Sequence, residues 1–296
     1  MYKICIKDDI MRDINEKFYM DLISNLKIDC EKCFGFCCSA LYFAKAEGFP
    51  EDKVAGKPCM NLKEDFKCKI HKSLSKKGVK GCTTFECFGA GQKIAQDTYK
   101  GESWLDNKEK ASEMFDAFVK MMQLHEMLWY LAEAYRIERK DKEREAIKKI
   151  IDETINISNL AGDKLIKYDI VAHRFKVNKL LLKTSESVRK YYKGKYKSNF
   201  KCKKFMAGRP NLINADLRRN ELRGENLSSA LLIAANLSKM DLSGIDFLGA
   251  DLRDTDITGS NLRNAVYLTQ FQINSAKGDG KTVLSPTLQR PFNWIK

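Results

Sequence analysis

The sequence predicts an α+β multidomain protein built from a cysteine-rich module, a helical bundle and a short C-terminal solenoid. Three observations support this fold class. Eight of the ten cysteines lie between residues 30 and 87, apolar residues recur at helical spacing over 111–188, and every fifth residue over 212–267 is apolar. Because these patterns occupy separate stretches, we expect each to form a structural unit of its own.

The segments follow one another in a simple order. We expect an N-terminal helical segment over 1–27, the cysteine module over 28–100, a helical region over 101–188, a basic aromatic linker over 189–209, the repeat solenoid over 210–270 and a C-terminal cap over 271–296. No run of about 18 apolar residues occurs, and the N-terminus lacks the apolar region of a signal peptide. We therefore expect no transmembrane segment and a cytoplasmic location, where disulfides are rare.

The cysteines of the module have the spacing of metal ligands. Two residues separate Cys30 from Cys33, and a short turn of this kind lets two thiolates reach one ion ~2.3 Å away, as in zinc and iron–sulfur sites. The region has few large apolar residues, so ligation would supply folding free energy. The predicted ligands are Cys30, Cys33, Cys37, Cys38, Cys59, Cys68, Cys82 and Cys87, with His71 as a further candidate.

The pattern leaves alternatives open. The cysteines could instead be buried free thiols, although so dense a group far exceeds normal usage. Adjacent cysteines usually point apart, so one of Cys37 and Cys38 could serve a second metal or none. His71 follows Cys68 at ligand spacing, but a lone histidine is more often a surface or packing residue. Cys202 is expected to be an inert exposed thiol.

These residues resemble the zinc- or iron-chelating cysteine-cluster family, whose opening reads C-x2-C-x2-C-C. The matching parts are Cys30-Glu-Lys-Cys33-Phe-Gly-Phe-Cys37-Cys38, Cys59-Met-Asn-Leu62, Cys68-Lys-Ile70-His71, and Cys82 with Cys87. One extra residue stands before Cys37, and Lys80-Gly81 replaces the usual Arg-Pro. The resemblance spans about residues 28–92 and implies that the module binds a zinc ion or an iron–sulfur cluster.

Apolar residues at three- and four-residue steps predict three helices after the module. The first is amphipathic and covers residues 111–135, the second covers 147–160 and the third covers 171–188. His125 and His173 each stand among apolar neighbours, so both are predicted to be core residues rather than ligands. The helices are expected to form a bundle.

The segment 189–209 carries nine basic residues and no acidic one, interleaved with five aromatics, in a chain of net charge +14. Basic side chains neutralise phosphates, and aromatics stack on unpaired bases or sit at a membrane interface. The segment is therefore a candidate surface for nucleic acid or an anionic membrane, with a solvated linker as the alternative. The candidate residues are Arg189, Lys190, Lys193, Lys195, Lys197, Lys201, Lys203 and Lys204.

The five-residue apolar ladder fits neither ordinary element of secondary structure. In an α-helix a step of five turns the side chain by about 140°, and in a strand an odd step alternates between faces. Only a backbone that itself repeats every five residues keeps all twelve side chains inside, which predicts a solenoid. The ladder consists of Leu212, Leu217, Leu222, Leu227, Leu232, Leu237, Leu242, Phe247, Leu252, Ile257, Leu262 and Tyr267.

The units also carry a motif. Ala215-Asp216-Leu217, Ala235-Asn236-Leu237 and Ala250-Asp251-Leu252 fit A-(D/N)-L-x-x, and the segment resembles the pentapeptide-repeat proteins. The resemblance implies a right-handed quadrilateral β-helix with four units per coil. Twelve units would then make about three coils, a stack only ~10–15 Å tall. A stack this short needs caps, and the apolar tail over 271–296 suits that role.

The leading functional hypothesis is a non-catalytic metal-binding scaffold that offers its β-helix surface to a protein partner. No Ser/His/Asp arrangement, P-loop or HExxH motif occurs, so no catalytic site is predicted. The alternatives are a metalloenzyme or redox protein using the cysteines, a nucleic-acid binder, and a protein that protects DNA gyrase, as some pentapeptide-repeat proteins do. Residues 209–270 hold seven basic and eight acidic side chains, a near-neutral balance unlike that of a DNA mimic.

Overall fold

The computed structural model of the protein describes residues 6–295, with side chains described from Glu16 onward. It separates into two compact units, Met1–Leu181 and Leu182–Lys296. The first unit contains the cysteine module and most of the helices, and the second contains the repeats. The predicted layout of helices followed by a repeat unit is therefore present.

The helices follow one another along the chain, with three long members in the first unit and one that reaches into the second. They are α1 (Ile6–Asn25), α2 (Phe36–Ala40), α3 (Lys80–Thr84), α4 (Ala90–Gln92), α5 (Ala111–Ile137), α6 (Asp141–Ser158), α7 (Gly162–Lys167), α8 (Ile170–Lys195) and α9 (Gln270–Ser275). Of the predicted helical segment over 1–27, residues 1–5 lie outside the described part of the chain. No helix within residues 6–295 combines the length and apolar character needed to cross a bilayer.

Helix α5 is the central helix of the first unit. It packs against α1, α2, α4, α6 and α7. Its second half is buried on every side, over the consecutive run Met127 to Tyr135. The first half has a solvent-facing side, where Ser112 and Asp116 are exposed. The predicted amphipathic helix is therefore present in the first half, and the prediction is wrong for the second half, which has no solvent-facing stripe.

The boundaries of the next helices also differ from the sequence prediction. Helix α6 begins at Asp141, before the apolar run, because Asp141 and Glu143 place negative charge in its first turn. Helix α8 begins where Asp169 Oδ1 accepts hydrogen bonds from the backbone N–H groups of Val171 and Ala172, and it continues past Val188 to Lys195. The end of α8 thus occupies the first part of the segment predicted as a linker.

The repeats form a coil with four pentapeptides per turn. Parallel bridges join residues one turn apart, such as Asn211 with Leu231 and Leu231 with Asp251. All twelve ladder side chains are buried, and Leu212 is the most exposed of them at 7%. The prediction that the ladder faces inward is confirmed.

The local geometry explains the repeat motif. In nine of the twelve units an Asp or Asn precedes the ladder residue and accepts a hydrogen bond from the N–H two residues further on, as Asp216 does from Arg218 at 3.2 Å. This Asx turn bends the chain at each corner. The second residue after the ladder position often has positive φ, as at Lys239 (61°) and Gly244 (72°). The motif therefore encodes one corner every five residues.

Both ends of the coil carry additional structure. At the start, β1 (Phe205–Met206) pairs antiparallel with β2 (Arg209–Pro210). At the other end, Thr269 and Gln272 form a capping box at the start of α9, and Gln272 Nε2 donates to the carbonyls of Phe247 and Ala250 at 2.8 and 2.9 Å. The Ile257 and Leu262 N–H groups donate to the carbonyls of Lys277 and Val283, both at 2.8 Å, so the tail satisfies backbone groups that the last coil would leave open.

Candidate functional site

The first cysteines lie on a short 3-10 turn that is tied to the segment after Cys87. Asp29 caps the turn Cys30–Lys32. The Asp29 N–H donates to Gln92 Oε1 at 2.6 Å, and Gln92 Nε2 donates to the Lys27 carbonyl at 2.8 Å. One glutamine amide therefore holds two distant parts of the module together. Its side chain fixes Cys30 and Cys33 beside the Cys87 segment.

A first group of thiols consists of Cys30, Cys33, Cys37 and Cys87, which would repel one another as thiolates; Cys30 would also repel Cys38. Gly91 comes so close to Cys33 that a Cβ on this glycine would lie 2.5 Å from Cys33 Sγ. Burial raises the pKa of Cys33 to about 12 and that of Cys87 to about 11, and the two thiolates would repel each other. As neutral thiols they are therefore unreactive, and deprotonation would require a compensating positive charge.

A second group consists of Cys38, Cys59, Cys68 and Cys82. The Cys59 N–H donates to the Cys38 carbonyl at 2.9 Å, and Cys68 pairs with Leu62, three residues after Cys59, in an antiparallel bridge. Cys59 and Cys82 both pack against a small cluster of buried residues, Phe43, Phe49 and Val79. Burial raises the pKa of Cys82 to about 12, with further repulsion from the other three thiolates.

The two groups meet at adjacent residues on α2. Cys37 Sγ lies 3.9 Å from Cys38 Sγ. This hydrogen bond lowers the pKa of the Cys38 thiol and raises that of Cys37. The pair therefore favours a single negative charge on Cys38, where Lys53 lies near enough to stabilise it.

Two ionisable side chains near the thiols, Glu86 and Lys53, were not predicted from the sequence. Glu86 precedes Cys87, accepts a hydrogen bond from the Phe88 N–H at 2.8 Å, and has a pKa raised to about 7 by burial. Lys53 donates from Nζ to the carbonyls of Ser39, Val54 and Lys57. The position of Glu86 beside a predicted ligand was a usable signal. Nothing in the spacing of Lys53 indicates its place beside Cys38.

The thiols approach one another without forming a closed coordination shell. Within residues 6–295 no group of three or more His, Cys, Asp or Glu side chains is placed to hold a metal ion. The eight predicted ligands and Cys202 are free cysteines. His71 is exposed at the start of the turn His71–Ser73, and Cys202 donates to the Lys204 carbonyl at 3.2 Å. Metal ligation by the cysteines or His71 stays a prediction.

The two predicted core histidines are buried. His125 Nδ1 lies 2.7 Å from the Phe88 carbonyl, and His173 Nε2 lies 2.8 Å from Thr154 Oγ1. His173 Nδ1 has no hydrogen bond but lies 3.5 Å from Glu153 Oε1. The prediction that both belong to the core is confirmed.

The basic segment 189–209 is largely folded. Its first part is the end of α8, where Lys193 pairs with Glu225 at 2.9 Å and Arg189 Nε donates to Ser185 Oγ at 3.1 Å. Lys195 Nζ donates to Tyr191 Oη at 2.6 Å. Of the predicted nucleic-acid or membrane candidates, Arg189, Lys193 and Lys195 therefore have intramolecular partners.

The remaining candidates of the segment face solvent. They are Lys190, Lys197, Lys201, Lys203 and Lys204. Nucleic-acid or membrane binding through them stays a prediction.

Comparison with known proteins identifies the repeats and a relative. The family described as "Pentapeptide repeats (8 copies)" matches residues 211–247 and 230–266. The chain is 43% identical over 270 residues to "Uncharacterized protein YybG" of Bacillus subtilis (strain 168), covering 91% of this chain and 95% of the relative. No solved structure matches the chain. The chain thus belongs to the same protein family as YybG, and its residues 211–266 carry pentapeptide repeats.

Proposed function

We propose that this protein is a non-catalytic, metal-binding interaction scaffold. The cysteine module would hold zinc or an iron–sulfur cluster, and the repeat unit would offer a surface to a protein partner. One observation supports the metal proposal: free thiols from separate segments lie near enough to repel one another as thiolates, in two sets that meet at Cys37 and Cys38. The coil with bridges one turn apart supports the finer inference that the repeats form a right-handed quadrilateral β-helix.

The chemistry of the donors suits a soft metal ion. Burial keeps Cys33 and Cys82 protonated in the absence of a cation, as their raised pKa values indicate. A metal ion would reverse this preference, because a coordinating thiol loses its proton to the metal. Rotation of the side chains toward a common centre would then close each group.

The small core around the second group of thiols gives metal binding a structural purpose. There Phe43, Phe49 and Val79 form a buried cluster, with Leu41, Ile70 and Leu74 partly buried around it. A cluster this small contributes little folding free energy, so metal ligation would stabilise this part of the module. Four thiolates per ion is the usual ligand set of a closed structural zinc site and also holds an iron–sulfur cluster.

Metal analysis and a UV–visible spectrum of protein purified without oxygen test this proposal. We expect two zinc ions per chain in colourless protein, or iron and sulfide with a brown absorption band at about 400 nm. Absence of bound metal in the wild-type protein would overturn the metal-binding proposal.

Single substitutions test the assignment of thiols to groups. We expect Cys33→Ser and Cys68→Ser each to remove the metal of one group and leave that of the other. Cys202→Ser is the matched control, because Cys202 lies outside both groups, and it should retain all metal. If either ligand substitution removed all metal while the chain stayed folded by circular dichroism, the division into two groups would be wrong.

A further inference from the structure

The hairpin at the start of the coil exposes two adjacent apolar side chains. Strands β1 and β2 are joined by Ala207 and Gly208, both with positive φ, at 48° and 75°. Phe205 is 63% exposed and Met206 is 51% exposed. More than half of each residue therefore stays in contact with water, next to the turn of the hairpin. We call these two residues the hairpin tip.

The hairpin is anchored to the repeats and does not hang free. The Asn211 N–H donates to the Lys204 carbonyl at 2.9 Å, and the Leu231 N–H donates to the Pro210 carbonyl at 2.8 Å. Arg209 Nε donates to the Ser229 carbonyl at 2.6 Å. The coil therefore presents the tip from a rigid base, which reduces the entropy lost when the tip binds something.

Three lysines precede the tip and carry uncompensated charge. Lys201, Lys203 and Lys204 are exposed, and none of them forms a salt bridge within the described part of the chain. No acidic residue occurs over 189–209. The hairpin tip is apolar, and the three lysines beside it are positively charged. Together they are complementary to a surface whose outer layer is negatively charged and whose interior is apolar.

The three tyrosines of the segment already contact other side chains, which limits their use as a stacking platform for bases. Tyr192 packs so closely on Gly244 that a Cβ there would lie 2.2 Å from its ring. Tyr196 lies under the Arg223 guanidinium at 3.4 Å, and Tyr191 packs edge-on against Tyr192. Single-stranded nucleic acid binds through successive stacked bases, and the tip offers only the Phe205 ring.

We propose that the hairpin tip and Lys201, Lys203 and Lys204 form a docking surface for an anionic lipid membrane. Phe205 and Met206 would enter the boundary between headgroups and acyl chains, and the lysines would contact the anionic headgroups. The protein would thus bind the membrane peripherally. This inference is independent of metal binding, because it uses residues of the second unit alone.

Vesicle co-sedimentation of the full chain tests the proposal. We expect binding to phosphatidylcholine vesicles that contain about a third phosphatidylglycerol, weaker binding as salt rises, and none to pure phosphatidylcholine. The double variant Phe205→Ser/Met206→Ser and the triple variant Lys201→Ala/Lys203→Ala/Lys204→Ala should each weaken binding about tenfold or more.

Two matched controls make the test specific. Lys72→Ala/Lys76→Ala/Lys77→Ala removes three other exposed lysines, and Phe175→Ser removes a phenylalanine that is 72% exposed on α8. Both should bind like wild type. The proposal would be overturned if the control variants lost as much vesicle binding as the test variants, or if the protein bound neutral and anionic vesicles equally. Binding to a fluorescent oligothymidine but not to vesicles would also overturn it.

Discussion

The coil of repeats and the cysteine module both lack long helices and strands, yet their folds depend on different interactions. In the repeats each coil satisfies the backbone groups of the next, as where the Leu232 N–H donates to the Asp251 carbonyl at 2.9 Å. In the module the antiparallel bridges are isolated, at Phe43 with Lys53 and at Leu62 with Cys68. A periodic fold stabilises itself by local repetition, whereas an irregular one depends on a few specific groups.

Removal of metal should separate the two regions most clearly. If the thiols hold metal, we expect a strong chelator to unfold the cysteine module, because structural zinc contributes on the order of 10 kcal/mol to the folding of small domains. Hydrogen–deuterium exchange should then rise sharply in peptides from residues 28–88 and stay unchanged in those from 210–270. Loss of protection in both regions alike would show that the two depend on a common stabilising interaction.

A core substitution should produce the opposite pattern. Leu242 is fully buried in the coil, so Leu242→Ala should cost about 2–5 kcal/mol through lost burial and a residual cavity. We expect faster exchange over 210–270 with the cysteine module unaffected. Ile213→Ala is the control, because this side chain is 36% exposed on the outside of the coil. If both substitutions gave the same small change, the apolar ladder would not be what stabilises the coil.

Acid should weaken the attachment of the module to α5. Burial lowers the pKa of His125 from 6.5 to about 4, and its Nδ1 lies 2.7 Å from the Phe88 carbonyl. Between these two pH values the unfolded chain binds a proton that the folded chain excludes. The free energy of unfolding is therefore greatest above about pH 6.5. It decreases by on the order of 3 kcal/mol as the pH falls to 4.

Unfolding as a function of pH measures this loss. His125→Gln keeps a hydrogen-bond donor for Phe88 without a titrating group, so its stability should vary less over this range than that of wild type. His71→Gln, at an exposed position, should behave like wild type. Identical pH profiles for His125→Gln and wild type would contradict the assignment.

The smallest expected effect concerns the fit of α8 against the coil. A Cβ on Gly244 would lie 2.2 Å from the Tyr192 ring, and the φ of Gly244 is 72°. Gly244→Ala should cost about 1–3 kcal/mol and increase exchange over 186–196. Gly249→Ala is the matched control. Gly249 also has a positive φ, of 63°, but a Cβ added there would have Ser229 Oγ as its nearest neighbour, at 3.8 Å. An equal effect from both would mean that backbone strain alone matters.

Sequence reasoning succeeded where interactions are local in the chain. The ladder from Leu212 to Tyr267 and the Asx turns at positions such as Asp216 follow from residues within a few positions of each other. It failed where burial depends on distant segments. The burial of the second half of α5 on every side depends on which elements cover it, and the extension of α8 to Lys195 depends on the packing of Tyr192 against Gly224 and Gly244.

The candidate site shows the same division. The sequence identified the eight cysteines but left their grouping open, because spacing alone constrains only neighbours such as Cys30 and Cys33. Gly91 lies close to Cys33, and the Cys59 N–H donates a backbone hydrogen bond to the Cys38 carbonyl. Both contacts join segments that lie far apart in the chain. The positions of Lys53 and Glu86 beside the thiols are likewise tertiary.

The sequence by itself determined that the C-terminal part forms a coil and which side chains fill it, because the apolar ladder and corner motif repeat every five residues. It also determined that thiols are concentrated near the N-terminus. Only the tertiary structure decided that these thiols form two groups meeting at Cys37 and Cys38, and that Phe205 and Met206 project from an anchored hairpin. The physical reason is that a repeating backbone brings together residues at a fixed separation, whereas an irregular chain brings together residues whose separation no local rule specifies.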